Sequence, residues 1–431
     1  MARGKKVQTL TAEEKLEQAF VLKSKQPYTI PENWLWTKLG LLVDIKTGKE
    51  DANFANEQGK YFFFTCAKDP LLCDTSVFYG ESILIAGNGA FHVNYYDGEF
   101  NAYQRTYVIQ NFKAVNGKFV YYHTLRNIQN IISGNRGSTI RYIRLGDLTG
   151  SLFPLPPLPE QRRIVARIES LFEKLDHARE LVQSALDSFE SRKAAILHKA
   201  FTGELTAKWR EKNGVELESW VKKRLGDCGL LERGRSKHRP RNASELFGGP
   251  YPFIQTGDVA NADVYITKHN QTLSEIGLNQ SKLFPKGTLC ITIAANIGDV
   301  AILSYDSCFP DSVVGFTPNE YTNSKFVYYL MNILQKQLEA EAPATAQKNI
   351  NLKVLNEITF RCPRIIEQQE IVRILDNLLE KEQQAKDKLE PILDQIDLMK
   401  KSILVSAFRG ELGTNDPSEE NAIELLKAIL E

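Results

Sequence analysis

The string KFVYY stands at residues 118–122 and again at 325–329, and the 207-residue offset then holds without a gap to Leu205 and Leu412. Leu145, Leu148, Phe153 and Pro156 fall on Leu352, Leu355, Phe360 and Pro363. EQRRIVARIESLFEK (160–174) falls on EQQEIVRILDNLLEK (367–381), and AFTGEL (200–205) on AFRGEL (407–412). Between Glu160 and Leu205, 18 of 46 aligned positions are identical. A weaker echo lies upstream at offset 186, where NWLWTKLG (33–40) matches SWVKKRLG (219–226) and Thr-Gly-Lys at 47–49 matches Arg-Gly-Arg at 233–235. The second copy therefore holds 21 extra residues (207 less 186), between Arg235 and Gly287. A period near 200 means duplicated domains, since solenoid repeats run at 20–50 residues. The chain must fold as a variable part and a similar part, twice.

The similar parts read as helices. In the first, Ile164, Ile168, Leu171, Leu175, Ala178, Val182, Ala185, Phe189 and Ile196 alternate at four and three residues, broken only at Arg192. In the second, Ile371, Leu375, Leu378, Ala385, Leu389, Ile392, Ile396, Met399 and Ile403 do the same, broken at Glu382. This spacing predicts a coiled-coil seam. The prolines of PLPPLPEQ (154–161) bar helix before the first start, and Gly203 and Gly410 end each helix in the same AF-x-GEL setting. Pro391 lies inside the second pattern and is a place for a bend. A helix of about 40 residues would be about 60 Å long and hold what lies at its ends far apart.

The variable parts mix short strand-like runs (YFFFT, ESILIA, TYVIQ; TLCITIA, DVAILS, SVVGFT) with glycine and asparagine turns and one or two amphipathic helices. The fold class is α/β with a mixed sheet, used twice. The tyrosines of KFVYY suit core and helix surface better than base stacking. In ERGRSKHRPRN, Arg233, Arg235, Lys237, Arg239 and Arg241 alternate through a loop opened by glycine, a concentrated positive field suited to phosphates and to guanine edges. Its counterpart, with Lys46 and Lys49, is far less basic. A second polar cluster precedes each proline junction: Asn135, Arg136, Arg141 and Arg144, then Gln347, Lys348 and Asn349. Lys68 and Gln255, in loops after a strand, and Arg105 complete the candidates for nucleic-acid contact. Amide and guanidinium groups are the types that make bidentate contacts to base edges.

Net charge is +1 over 431 residues, so any nucleic-acid surface is local. The first 26 residues carry +3 and the tail from residue 413 about −4. The sequence has no P-loop, no HExxH, no dinucleotide fingerprint and no CxxC pair, and nothing in it resembles a catalytic centre. The six scattered cysteines read as reduced thiols of a cytoplasmic protein. No apolar run approaches a membrane span and no signal core opens the chain.

The order of parts, with PYTIPENWLWTKLG, PLPPLPEQRRIVARIE, AFTGELTAKWR and AFRGEL, resembles the DNA-specificity subunits of type I restriction–modification systems over nearly the whole chain. The resemblance implies an N-terminal helical extension (1–26), a target recognition domain (27–155), a helical spacer (156–212), a second recognition domain (213–362), a second spacer (363–412) and an acidic tail (413–431). Each recognition domain would read one half of a bipartite, asymmetric DNA target. The spacers would form an antiparallel coiled coil that sets the gap between half-sites. They would also dock two modification subunits, adenine methyltransferases that use S-adenosylmethionine. Glu160, Gln161, Phe201, Gly203, Glu204, Glu367, Gln368, Phe408, Gly410 and Glu411 are the expected partner contacts. Two restriction subunits, using ATP and Mg2+, would complete the nuclease. The chain itself would be non-catalytic, with no cofactor or metal of its own. A coiled-coil scaffold without a DNA role is the alternative.

Overall fold

The computed structural model describes residues 16–17, 19–133, 141–236, 243–294, 297–341 and 350–430. It divides into two units, Met1–Val182 with Pro391–Glu431 and Gln183–Glu390, so each boundary falls inside a long helix.

In the first unit the strands are β1 (Leu35–Lys38), β2 (Asp44–Thr47), β3 (Tyr61–Phe64), β4 (Leu71–Cys73), β5 (Glu81–Ala86), β6 (Val93–Asp97), β7 (Phe100–Ala102), β8 (Thr106–Gln110) and β9 (Leu152–Leu155). They form an antiparallel sheet β2-β8-β5-β6, a smaller mixed sheet β4-β3-β7 and a ribbon β1-β9. ESILIA reads as an unbroken apolar run because both faces of β5 are covered. Ile83 and Ile85 pack into the main core with the Gly117–Ser133 helix, while Leu84 packs with Phe64, Phe100 and Val108 on the other side.

The second unit repeats this frame. Its strands are β10 (Val221–Arg224), β11 (Gly229–Arg233), β12 (Phe247–Phe253), β13 (Tyr265–Ile266), β14 (Gln271–Leu273), β15 (Leu283–Phe284), β16 (Leu289–Thr292), β17 (Val300–Leu303), β18 (Ser307–Cys308), β19 (Val313–Pro318) and β20 (Thr359–Cys362). The sheets are β11-β19-β16-β17-β13 and β14-β12-β18-β15, with the ribbon β10-β20. The two additional strands, β13 and β15, lie within the stretch where the offset changes.

The first long helix runs Leu158–Asp187 and resumes as Phe189–Phe201 after a break at Ser188; the second, Ile365–Ala407, continues through Pro391. Pro391 and Asp387, whose carbonyl is left without its helical donor there, are both exposed. In the first unit Lys400 bonds Asp176 at 2.5 Å and Arg179 bonds Asp397. The partner moves three residues back as the chain moves three forward, so the helices run antiparallel. In the second unit Leu197 and Ala200 share a core with Ile371 and Leu375, while Arg192 reaches Glu382 at 2.9 Å, the same antiparallel sense. The two polar breaks in the predicted seams thus answer one another, as opposite charges. Met399, expected in the seam, is 52% exposed and faces away from it.

The acidic tail packs as part of the first unit. Ala422 and Leu426 are fully buried in its core, and Arg163 binds Glu419 through two bonds of 2.7 and 2.9 Å. Ala19, in the N-terminal extension, is buried in the same core. Among the described residues no helix is long and apolar enough to cross a membrane.

Candidate nucleic-acid interface

Several loops of the first unit meet at one end of its sheets. Gly48 donates to the Thr106 carbonyl and Gln104 to the Glu50 carbonyl, at 3.2 and 2.8 Å. Gly87 donates to the Arg105 carbonyl and Ile143 to the Gly87 carbonyl, both at 2.8 Å. Asn94 reaches the Lys68 carbonyl at 3.5 Å. These bonds bring together Lys46, Lys49, Lys68, Arg105, Arg141 and Arg144, all exposed. Gly48 is required there, since a Cβ would lie 1.9 Å from the Ala102 carbonyl oxygen. The Arg144 guanidinium bonds the Tyr142 hydroxyl at 2.8 Å and lies over its ring. Asn135 and Arg136 lie outside the described residues.

The second unit builds the same end with different side chains. Gly234 donates to the Val313 carbonyl at 2.9 Å, Arg235 to the Phe309 carbonyl at 3.1 Å and Ile350 to the Ile293 carbonyl at 3.1 Å. Arg233 and Arg235 are exposed, and the Arg233 guanidinium donates to the Asp311 carbonyl. Gln255, exposed at the start of a short helix (Thr256–Ala260), bonds Gln271 at 2.5 Å. Lys237, Arg239, Arg241, Gln347, Lys348 and Asn349 lie outside the described residues.

The EQ pairs, expected to face partner subunits, are buried inside their own units. Glu160 Oε2 accepts from the Trp34 indole at 2.7 Å and from Asn415 at 2.9 Å. Gln161 accepts from the Asn116 amide at 2.7 Å and donates to the Pro156 carbonyl at 3.0 Å. Glu367 Oε2 accepts from the Trp220 indole at 2.9 Å, while its Oε1 takes Thr206 and Arg210, both at 2.8 Å. Gln368 accepts from the Asn323 amide at 2.8 Å and donates to the Pro363 carbonyl at 2.9 Å. A buried carboxylate must be paired or bonded, and the N-terminal turn of a helix suits it. The EQ motif therefore fastens each long helix to the ribbon and the loop before the KFVYY helix.

KFVYY meets AF-x-GEL in the same way. Phe119 packs on Phe408 and Phe326 on Phe201, each with ring centres 5.0 Å apart. Lys118 pairs with Glu169 at 2.6 Å and Lys325 with Asp376 at 2.8 Å. Phe408 and Gly203 are buried, Phe201 and Gly410 half-buried, and only Glu204 and Glu411 of the GEL strings are exposed. The clamp was missed from sequence although it left a signal. KFVYY, EQ and AF-x-GEL all recur at one offset, as parts that bind each other must.

The two clamps differ in one respect. Among the described residues Oε1 of Glu160 is buried without a partner, where its counterpart Glu367 holds Arg210. Burial raises the Glu160 pKa, against the opposing pull of Trp34, Asn415 and Arg163. A carboxyl raised in the folded state costs stability as pH rises through its folded value. Glu160→Gln is therefore expected to be neutral or stabilising at pH 7. In urea melts its advantage over wild type should shrink as pH falls into the carboxylate range. A loss that is constant with pH would count against an uncompensated charge.

The model for the type I restriction modification DNA specificity domain matches residues 31–183 and 217–392, one span in each repeat. The chain belongs to that family. Among curated relatives, the specificity subunit of the type I restriction enzyme EcoDI of Escherichia coli is 30% identical over 398 residues, 89% of each chain. The EcoBI specificity subunit of Escherichia coli is 24% identical over 424 residues, 89% of this chain and 87% of that one. A chain solved in work on complex assembly and conformational transition of the type I R-M system superposes with a TM-score of 0.67 at 20% identity, over 89% of this chain and all of that one. The HsdS subunit from Thermoanaerobacter tengcongensis gives 0.62 at 20% identity, over 90% and 100%. The fold is thus that of the type I specificity subunits, and the matched spans hold both basic loop ends.

Proposed function

We propose that each unit presents its basic loop end to duplex DNA and reads one half of a bipartite, asymmetric sequence. The observation that carries this reading is a duplicated sheet frame whose loops are tied alike but bear different exposed side chains. A frame held constant with a varied rim is what reading two different half-sites requires. The antiparallel helices then set the gap between half-sites, as a stiff spacer must when two modules share one duplex. Two modification subunits, using S-adenosylmethionine, dock on the paired helices and the turns that end them, where Glu204 and Glu411 are exposed. Two restriction subunits add ATP- and Mg2+-dependent cleavage. The chain contributes no reacting group of its own.

Replacing Arg233, Arg235, Lys237, Arg239 and Arg241 with alanine in the complex with the modification subunits tests the second half-site. Affinity for the target duplex should fall, and the slope of log K against log salt should flatten by about one for each phosphate no longer neutralised. An unchanged slope and affinity would make this loop ordinary solvated surface. Absence of sequence-dependent binding by the unmodified complex at any salt would instead favour a scaffold.

A further inference from the structure

The bonds that close the loop end of the first unit also decide which side chains share a face. Ile143 donates to the Gly87 carbonyl and accepts from the Tyr107 hydroxyl at 2.9 Å, and its side chain, 4% exposed, lies in the main core. Side chains alternate along extended backbone, so Tyr142 and Arg144 point the other way, outward. Asn88 pairs with Tyr142 in an antiparallel bridge, which puts its side chain on the same outward face. Tyr142 and Arg144 are exposed and Asn88 is half-buried.

Both polar groups are carried on held backbone. The Arg144 guanidinium donates to the Tyr142 hydroxyl at 2.8 Å and lies over its ring at 5.3 Å. Asp147 accepts the backbone amide of Arg144, also at 2.8 Å. The tyrosine takes one of five N–H groups and leaves the other donors of the fork to a ligand. Asn88 sits in the turn between β5 and β6, pinned on one side by the Gly87 bonds and on the other by Phe91. Phe91 is 8% exposed in the main core and has φ of 53°, left-handed backbone that a bulky side chain rarely adopts. The second copy has Gly298 at the aligned position, with φ of 85°. The first copy thus takes on strain that glycine avoids, offset by a buried ring at the base of the turn. Groups on a held turn lose less freedom when they bind.

An amide and a guanidinium are the side chains that make paired bonds to purine edges in the major groove, asparagine to adenine N6 and N7, arginine to guanine O6 and N7. Diagonal neighbours across an antiparallel pair lie about 7–8 Å apart, or about two base-pair steps of roughly 3.4 Å. At the aligned positions of the second copy stand Ala295 and Asn351, and Asn351 turns back to accept from the Val354 amide at 2.9 Å. The pair therefore belongs to one copy, as groups that read only one half-site should.

We propose that Asn88 reads an adenine and Arg144 a guanine within about two base pairs of each other in the half-site of the first unit, with Tyr142 positioning the guanidinium. This rests on the loop ends being the DNA-reading surfaces and assigns base identity to one of them.

The complex with the modification subunits can be used to retain duplexes from a pool of random sequence, which are then sequenced. Wild type should enrich a bipartite motif with an A·T and a G·C pair within about two positions in one half. Asn88→Ala should lose the preference at the A·T pair alone and Arg144→Ala at the G·C pair alone, each by about 5–150-fold, with the other half unchanged. Arg144→Lys keeps the charge without the planar fork, so it should lose the same preference while holding non-specific affinity, and it decides if Arg144→Ala does not fold. Tyr142→Phe should weaken the G·C preference by less than Arg144→Ala does and leave the A·T preference alone. An enriched motif that keeps every preferred base in Asn88→Ala and in Arg144→Lys, with affinity lowered uniformly or not at all, would overturn the assignment and leave the loop-end reading standing. No enriched motif with wild type would sink the half-site reading itself, and the assignment with it.

Discussion

Glu367→Ala is expected to destabilise the second unit by about 3–5 kcal/mol, enough to unfold a marginal domain. The carboxylate and its partner Arg210 are 2% and 8% exposed, so removing one leaves the other's charge buried and unpaired. The same change orphans the Trp220 indole and leaves Arg210 only two neutral acceptors, Thr206 and the Gly203 carbonyl. Asp at this position should fail as well, since the shorter side chain cannot reach the ribbon and the loop after Gly203 together. The aligned change in the first unit, Glu160→Ala, should cost markedly less. It removes bonds to Trp34 and Asn415 but also a buried charge with an unpaired oxygen. Urea unfolding followed by both tryptophan fluorescence and far-ultraviolet circular dichroism would resolve the two units if their transitions separate. The double variant Glu367→Leu with Arg210→Met should recover much of the loss, because the pair costs desolvation that an apolar pair avoids. Equal losses for Glu160→Ala and Glu367→Ala would mean the Arg210 ion pair adds nothing.

The repeat, the strand runs and the helical seams could be read from sequence because each is periodic and local. Arg192 and Glu382 looked like two independent flaws, since a heptad pattern is read one helix at a time. Their pairing exists only once the helices are set antiparallel. The EQ and AF-x-GEL strings were legible as invariant between copies but not as buried. Glutamate and glutamine are surface residues by default, and Glu160 and Glu367 are inside where an indole just before a ribbon strand, 126 and 147 positions earlier (Trp34 and Trp220), reaches them. The tail hid for a related reason. TNDPSEENAIELL has no sequence counterpart after Leu205, yet Asn415 takes up Glu160 much as Thr206 and Arg210 take up Glu367, with different side chains. Similarity between the copies therefore marks where the chain grips itself, before it marks any partner. Of the basic candidates, those on loops tied by backbone bonds came together, which spacing alone could not reveal.

Exchanging residues 27–155 for the corresponding domain of another family member should change one half of the methylated sequence and leave the other half intact. The two units have separate cores: Ile83, Ile109 and Phe119 belong to one, and Leu289, Val314 and Phe326 to the other. Substitutions without shared neighbours act independently, so the second loop end should keep its preference. Each mismatched base pair costs about 1–3 kcal/mol, so a half-site with several wrong pairs should fall to non-specific affinity. The clamp sets a condition on the exchange. The incoming domain must present an indole at position 34, a backbone donor at 116 for Gln161, and the lysine and phenylalanine of KFVYY to meet Glu169 and Phe408. A donor lacking them should fold poorly, and grafting Trp34, Lys118 and Phe119 into it should restore soluble complex without altering the new half-site. Mapping methylated adenines in cells carrying the exchanged chain reads both halves and the gap together. A change in both halves, or in neither, would refute independent reading by the two units. A changed gap with the long helices untouched would mean that the recognition domains, and not the helices alone, set the spacing.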